Sequence, residues 1–208
     1  MNEPNEAEIL DENSLTKFED DWPLFEKFLG YLRYLQIKPY IMSTPKPICV
    51  DIGCGFYGRF LKSISHLIKR GYGFDIRGND EKYANICIVN NSKCLGRIPL
   101  KDNRVDRVFM LAVLEHLPLN DRLLEEGVRV LKPGGLLILT TPTPLAKPVL
   151  EFLSYKLHLI SEASIREHKH YYNRQELGYR VIKSGCAVLA YQTFQLGFNQ
   201  LIVGIKQG

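Results

Sequence analysis

The sequence predicts one α/β unit on a mostly parallel sheet with an antiparallel C-terminal edge. Three observations carry this reading. From residue 48 to residue 141, short apolar runs alternate with helix-type stretches; a parallel sheet requires that order, because each strand must be reached by a crossover. A glycine-rich turn, Asp51-Ile-Gly-Cys-Gly-Phe-Tyr-Gly58, separates the first such strand from the helix that follows. Two β-rich stretches close the chain, joined by Leu196-Gly197, and read as a hairpin. A length of 208 residues suffices for one core and is short for two.

Taken in order, residues 1–13 read as a loose arm. Over 14–37, Leu15, Phe18, Trp22, Phe25, Phe28, Leu29, Leu32 and Leu35 fall at helical spacing. Pro23 starts the second part of that helix, since proline is tolerated in a first turn. Pro39, Pro45 and Pro47 mark a connector. Ile48–Ile52 is a buried strand, and Arg59–Arg70 a helix with Phe60, Leu61, Ile64, Leu67 and Ile68 on one side, ended by Gly71. Tyr72–Ile76, Asn85–Val89 and Arg104–Leu111 follow as strands, Leu119–Leu131 as a helix, and Leu136–Thr141 as the fifth strand. Beyond it, Pro142, Pro144 and Pro148 punctuate an apolar helical stretch: Leu145, Val149, Phe152, Leu153, Leu157, Ile160. Ser161–Tyr172 is polar and rich in His and Tyr. Asn173 caps a helix over Arg174–Ser184, with Glu176 completing the capping pattern. The hairpin strands are Cys186–Gln195 and Phe198–Ile205. The unit thus divides into an arm and helical cap (1–45), a core (46–142) and a C-terminal part (143–208).

Hydrophobic residues make up 45% and charged residues 24%, which excludes a disordered or collagen-like chain. No apolar run reaches the ~18 residues of a spanning helix, and the acidic start, MNEPNEAEIL, lacks a signal-peptide pattern. Five cysteines, Cys49, Cys54, Cys87, Cys94 and Cys186, form no C-x-x-C pair; they read as reduced thiols of a cytoplasmic protein. The net charge of +4 is uneven: residues 1–21 hold eight acids and one Lys, so the remainder is strongly basic. A basic body suits an anionic substrate, an acidic lipid surface or nucleic acid. The plainer reading is a solvated surface balanced by the acidic arm, and no aromatic-rich RNA-binding motif is present.

The glycine turn is the strongest local signal. Glycines at 53 and 55 let the backbone turn tightly and approach a ligand without a Cβ in the way, and the helix start beyond them offers free N–H groups. As letters, Gly53-x-Gly55-x-x-Gly58 is also the dinucleotide fingerprint. Asp75, at the end of the second strand, has two acceptor oxygens for the two ribose hydroxyls of a nucleoside. These residues alone do not choose between a nicotinamide cofactor and another nucleoside-bearing one.

Three further stretches choose: Ile98-Pro-Leu-Lys-Asp-Asn-Arg-Val-Asp106-Arg-Val, Val113-Leu-Glu115-His116-Leu, and Glu126-Gly-Val-Arg129-Val-Leu-Lys-Pro-Gly-Gly135-Leu-Leu-Ile. With the Asp-Ile-Gly-Cys-Gly turn, in this order, they resemble the class I S-adenosylmethionine-dependent methyltransferases, most closely the small-molecule branch with quinone and polyketide-type members. The likeness is good over about 46–142 and weaker through Glu167–Leu177 and the hairpin. It implies a three-layer sandwich around a Rossmann-like, mostly parallel seven-stranded sheet. It also implies S-adenosylmethionine as cofactor and a small-molecule acceptor. Asp51 would organise the glycine loop and approach the methionine amino group, and Gly53, Cys54 and Gly55 would line the methionine part. Asp75 would bind the ribose and Ile76 pack on the adenine. Leu111 and Ala112 would contact the methionyl moiety, and Gly134 and Gly135 would form the turn before strand five.

Two departures from the family pattern bear on the site. Tyr57 stands where a third glycine is usual, with Gly58 one residue later, so Tyr57 covers part of the methionine pocket or the loop is one residue longer. The acid usual before Ile98-Pro99 is absent, leaving adenine contact to the backbone, Asn91 or Ser92. His116, just past strand four, is the candidate base, with a helix-end role as the alternative. His168 and His170, with Tyr171 and Tyr172, would sit over the substrate mouth and hold or deprotonate a hydroxyl acceptor; a helix-start loop is the alternative. O-methylation follows from His and Tyr near that mouth. No metal is expected, because quinone-type relatives use E-x-x-E-H and Ala112 replaces the first acid. The apolar 145–160 stretch suggests a lid for a hydrophobic or lipid-linked acceptor. Nucleic acid is disfavoured as the acceptor by the absence of an (N/D)PP(Y/F/W) tetrapeptide. The alternatives are a non-catalytic S-adenosylmethionine-binding module and a nicotinamide-linked reductase, the latter without a Tyr-x-x-x-Lys pair.

Overall fold

Alternation along the central strands creates the layers. In β1 (Ile48–Ile52), Val50 and Ile52 pack into one apolar cluster and Cys49 into another. In β5 (Val105–Leu111), Val108 and Met110 take the first side and Phe109 the second. A strand's side-chain period of two thus makes two cores, one on each face of the sheet. Helices α3 (Leu123–Val130) and α5 (Arg174–Lys183) cover the first through Leu124, Val128, Leu177 and Val181. Helices α1 (Leu24–Met42) and α2 (Arg59–Ser63) cover the second through Ile37, Ile41 and Leu61. The result is the expected three-layer sandwich. The computed structural model describes residues 24–77, 79–90, 96–155 and 166–208.

The sheet has eight strands in the order β3-β4-β2-β1-β5-β6-β8-β7. The remaining strands are β2 (Arg70–Asp75), β3 (Glu81–Tyr83), β4 (Ile86–Asn90), β6 (Leu131–Pro142), β7 (Cys186–Phe194) and β8 (Asn199–Lys206). β4, β2, β1, β5 and β6 run parallel, while β8 and β7 form the antiparallel hairpin on β6. The strand beyond the seven expected is β3, which pairs antiparallel with β4; Glu-Lys-Tyr carries no apolar signal. The order reverses at β1, with β2 on one side and β5 on the other, and ligands of such sheets bind outside the carboxyl ends of the strands at that switch point.

Several boundaries differ from expectation. Pro39 lies inside α1 rather than in a connector. Buried Ile37 and Ile41 hold the last turn, and Arg107 Nε donates to the Tyr40 carbonyl at 2.8 Å. The helix expected over 59–70 stops at Ser63, gives one 3-10 turn over Ser65–Leu67, and yields to β2 at Arg70. There Asn85 Nδ2 donates to the carbonyls of Ser65 and Ile68 at 3.0 and 2.8 Å, taking groups a continuing helix would use. The helix expected from Leu119 begins at Leu123, where Asp121 Oδ1 accepts its N–H at 2.7 Å. β6 starts at Leu131 and includes the Lys-Pro-Gly-Gly turn as an irregularity opposite Val105 and Arg107. The Asn173–Glu176 capping box is present as expected. The second apolar helix appears as α4 (Ala146–Tyr155). The arm, Trp22, Asn91, Ser92, Cys94, Leu157 and Ile160 lie outside the described residues.

Candidate active site

The carboxyl ends of β1, β2, β5 and β6 converge with one residue of α1 and a strap over 166–172. At the end of β1 the chain turns onto β2: Gly53 and Cys54 donate their N–H groups to the Phe74 carbonyl at 2.7 and 3.3 Å. Gly53 and Gly55 have φ of 74° and 72°. A Cβ on Gly53 would meet Val113 at 2.3 Å, whereas one on Gly55 would meet nothing within 4 Å. Gly55 therefore borders open space, and Gly53 serves packing. Gly58, at φ 57°, caps α2, and a Cβ there would lie 2.1 Å from Ile88.

Asp75 ends β2 and is tied to the glycine loop. Its Oδ2 accepts from Gly55 N–H at 2.8 Å and its Oδ1 from Arg77 N–H at 2.9 Å. Each oxygen keeps a second lone pair. Ile76, the next residue, is exposed. Tyr57 stacks edge-on with Phe56 at 4.7 Å and lies under the Arg59 guanidinium at 5.1 Å. The Cys54 side chain faces inward, in the core cluster with Ile88, and burial pushes its thiol well above the usual range. Only its backbone remains for the ligand side. Leu111 ends β5 and packs against that same cluster.

Asp51 is 2% exposed, and its Oδ1 finds no hydrogen-bond partner among the described residues. Burial first, and then the charge of Asp75, push its carboxyl well up, while the Arg33 charge pulls the other way. Arg33 was not singled out in the sequence. It stands one helical repeat before Ile37 and Ile41, both fully buried. That period places a base on the inward stripe of α1, and this was the readable signal. Its Nε is buried without a partner among the described residues. Burial lowers its affinity for the proton, and the charges of Glu115 and Asp51 restore part of it.

Beyond β5 the backbone is strained at Ala112, φ 58°, whose N–H donates to Thr140 at 2.9 Å. Non-glycine residues rarely occupy this region, and such strain clusters at functional sites. A 3-10 turn over Leu114–His116 follows. Glu115 is 1% exposed, and Thr141 donates its hydroxyl to Glu115 Oε2 at 3.0 Å. Burial raises its carboxyl to about 7, against the backbone, Thr141 and Arg33. The Glu115 carbonyl accepts the N–H groups of Lys169 and His170 at 2.7 and 3.3 Å, which pins the strap over the end of β5.

The strap thereby brings His168 to His116, with ring centroids 4.7 Å apart. Burial lowers both imidazoles, His168 to about 4, so both are neutral near pH 7. His168 Nδ1 lies 2.9 Å from the Tyr171 hydroxyl. His170 stands apart from that pair: its Nε2 is 3.3 Å from Glu176 of the capping box. A cavity of about 560 Å³ opens beside the strap, lined by Lys147, Arg166, His168, Lys169 and His170 among others. Tyr172 is buried, and its carbonyl accepts from Gln200 at 2.6 Å.

A glycine turn leaving the central strand, with Asp51 near the end of β1 and Asp75 ending β2 at the switch point, is similar to the construction of the class I S-adenosylmethionine-dependent methyltransferases. Residues 50–139 match the model of a methyltransferase domain. Over 96 residues, 42% of this chain, the sequence is 33% identical to the sterol 4-C-methyltransferase strm-1 of Caenorhabditis elegans; the match spans 28% of that protein's length. Solved structures share the fold. A S-adenosylmethionine-dependent methyltransferase from Thermotoga maritima superposes with a TM-score of 0.67 at 21% identity, covering 94% of this chain and 97% of its own. One from Aquifex aeolicus gives 0.63 at 19%, covering 95% and 99%. A Haloferax volcanii methyltransferase solved with its Trm112 activator gives 0.66 at 17%, covering 91% and 96%.

Proposed function

We propose that this chain transfers a methyl group from S-adenosylmethionine to a small-molecule acceptor, at a hydroxyl oxygen. The observation that carries the reading is one buried electrostatic cluster. Asp51 on the glycine-loop side and Glu115 on the histidine side are both buried, and both lie within electrostatic reach of Arg33, which supports one contiguous site.

The residues fit the cofactor. Asp51 Oδ1, buried and unpartnered, suits a cationic amino group; the guanidinium of Arg33 suits a carboxylate; Asp75 retains lone pairs for ribose hydroxyls. The open space at Gly55 lets a ligand approach the backbone closely. When bound, S-adenosylmethionine supplies an electrophilic methyl group on a sulfonium. The chain's own work is alignment and the exclusion of water. His116 and His168 stand at the acceptor end and handle the acceptor hydroxyl, while Lys147, Lys169 and His170 line the cavity beyond. Exposed Leu145 and Phe152 on and beside α4 support an acceptor with an apolar portion.

Calorimetry with S-adenosylmethionine and S-adenosylhomocysteine tests the cofactor half. Micromolar binding that Asp75→Ala weakens at least ~30-fold, about two hydrogen bonds to a charged group, is the expected result; no binding by a folded sample overturns it. An acceptor panel with product analysis tests the other half. The sterol 4-C-methyltransferase match favours a second reading, methylation of carbon on a sterol-like acceptor. A carbon-methylated product would select it. Cofactor binding without turnover on any acceptor would leave a binding module.

A further inference from the structure

We propose that Glu115, His116 and His168 bind one divalent transition-metal ion at the acceptor end of the crevice. One ligand atom from each of the three lies within 4.8 Å of the other two. Two imidazoles and a carboxylate suit ions of the zinc, cobalt or manganese type. Metal–ligand bonds are ~2.0–2.2 Å, so binding would draw the three atoms in around one point.

Two of the groups are also held by a neighbouring hydroxyl, as metal ligands ordinarily are. The Thr141 hydroxyl donates to Glu115 Oε2 at 3.0 Å. The Tyr171 hydroxyl holds His168 Nδ1 at 2.9 Å, leaving Nε2 for an ion. The Nδ1 of His116 is buried without a hydrogen-bond partner among the described residues. A buried polar atom without a partner is costly, and an ion at the cluster would supply one to that nitrogen in its unprotonated form.

The sequence argued against a metal because Ala112 occupies the position of a further acid. The structure supplies His168 instead, from a strap tied to the Glu115 carbonyl through Lys169 N–H at 2.7 Å. Three protein ligands leave positions open, and the cavity of about 560 Å³ reaches His168. The ion would hold the acceptor oxygen there. This use rests on the methyltransferase reading; the binding itself does not.

The test is titration of the chelator-treated full chain with Co²⁺ alone, read by visible absorption. One equivalent is expected to bind, to be displaced by Zn²⁺, and to bind at least ~10-fold more weakly in His168→Ala and in Glu115→Gln. His66→Ala, an exposed histidine elsewhere, serves as the control. Circular dichroism establishes that each variant is folded. Absence of saturable binding at one equivalent, or equal affinity in wild type, His168→Ala and Glu115→Gln, overturns the proposal and leaves a packed histidine pair. Calorimetry with S-adenosylmethionine on the same samples separates this failure from failure of the cofactor reading.

Discussion

Gly55 and Gly58 both occupy left-handed backbone, at φ 72° and 57°, yet they answer different needs. An alanine at 58 would combine that strain with an overlap on Ile88 Cδ1 at 2.1 Å. Gly58→Ala should cost roughly 3 kcal/mol, or about 10 °C in Tm. Gly55→Ala carries the strain alone, about 1 kcal/mol, but places a methyl group in the open crevice. It should weaken S-adenosylmethionine at least ~10-fold, the scale of one lost charge-assisted hydrogen bond. Thermal melts and calorimetry on the pair would separate the two roles; equal losses of stability would refute the distinction. Arg33 makes a second prediction at this scale. Because its charge acts on Asp51 and Glu115, and Asp75 is the acid proposed for the ribose, Arg33→Met should weaken S-adenosylmethionine ~10–100-fold and leave adenosine affinity unchanged. Parallel loss for both ligands would mean the arginine merely holds α1 in place.

At the scale of elements, short-range chemistry is most readable where one side chain closes one helix end. The α5 cap is such a case: Asn173 Oδ1 accepts from Gln175 and Glu176 N–H, and Glu176 reaches back to Asn173 N–H. By contrast, the end of α2 depends on Asn85, far along the chain. Helix α3 adds a charged clamp on the loop before β5. Arg129 donates to both Glu126 oxygens at 2.9 and 2.8 Å, and Glu126 Oε2 also accepts from Ile98 N–H at 3.0 Å. The Arg129 bond holds the Glu126 carboxyl below its usual range. A group with a depressed folded pKa contributes stability above its unfolded value, ~4.3, and loses it as pH falls through the folded value. Glu126→Gln should therefore lower Tm at neutral pH, and the gap to wild type should close progressively below about pH 4. A gap that is constant with pH would show that the charge contributes nothing.

At the scale of the whole molecule, α1 carries Arg33 into the site and so must be anchored to the sheet. Arg107, 4% exposed on β5, does this. Its Nε donates to the Tyr40 carbonyl at 2.8 Å and its Nη2 to Ser43 and Thr44 hydroxyls, each at 2.7 Å. Lysine cannot reproduce that planar fork. Arg107→Lys should cost roughly 3 kcal/mol, speed amide exchange in α1 ahead of β1 and β5, and weaken cofactor binding through Arg33. Hydrogen exchange that rises uniformly across the sheet would contradict a local anchor.

The sequence by itself determined the alternation of strands and helices and the glycine turn, and it singled out Asp51, Asp75 and the likeness to methyltransferases, because these depend on period, turn chemistry and local spacing. It also marked His116, His168 and His170 without saying which would meet. Only the tertiary structure decided that. The Glu115 carbonyl takes the strap's N–H groups and seats His168 against His116, while His170 is drawn to Glu176. It likewise turned the Cys54 side chain into the core and brought Arg33 within electrostatic reach of two buried acids. Such outcomes rest on contacts between distant segments, and burial makes them strong: an unpaired charge or polar atom removed from water costs too much to be left where local preference alone would put it.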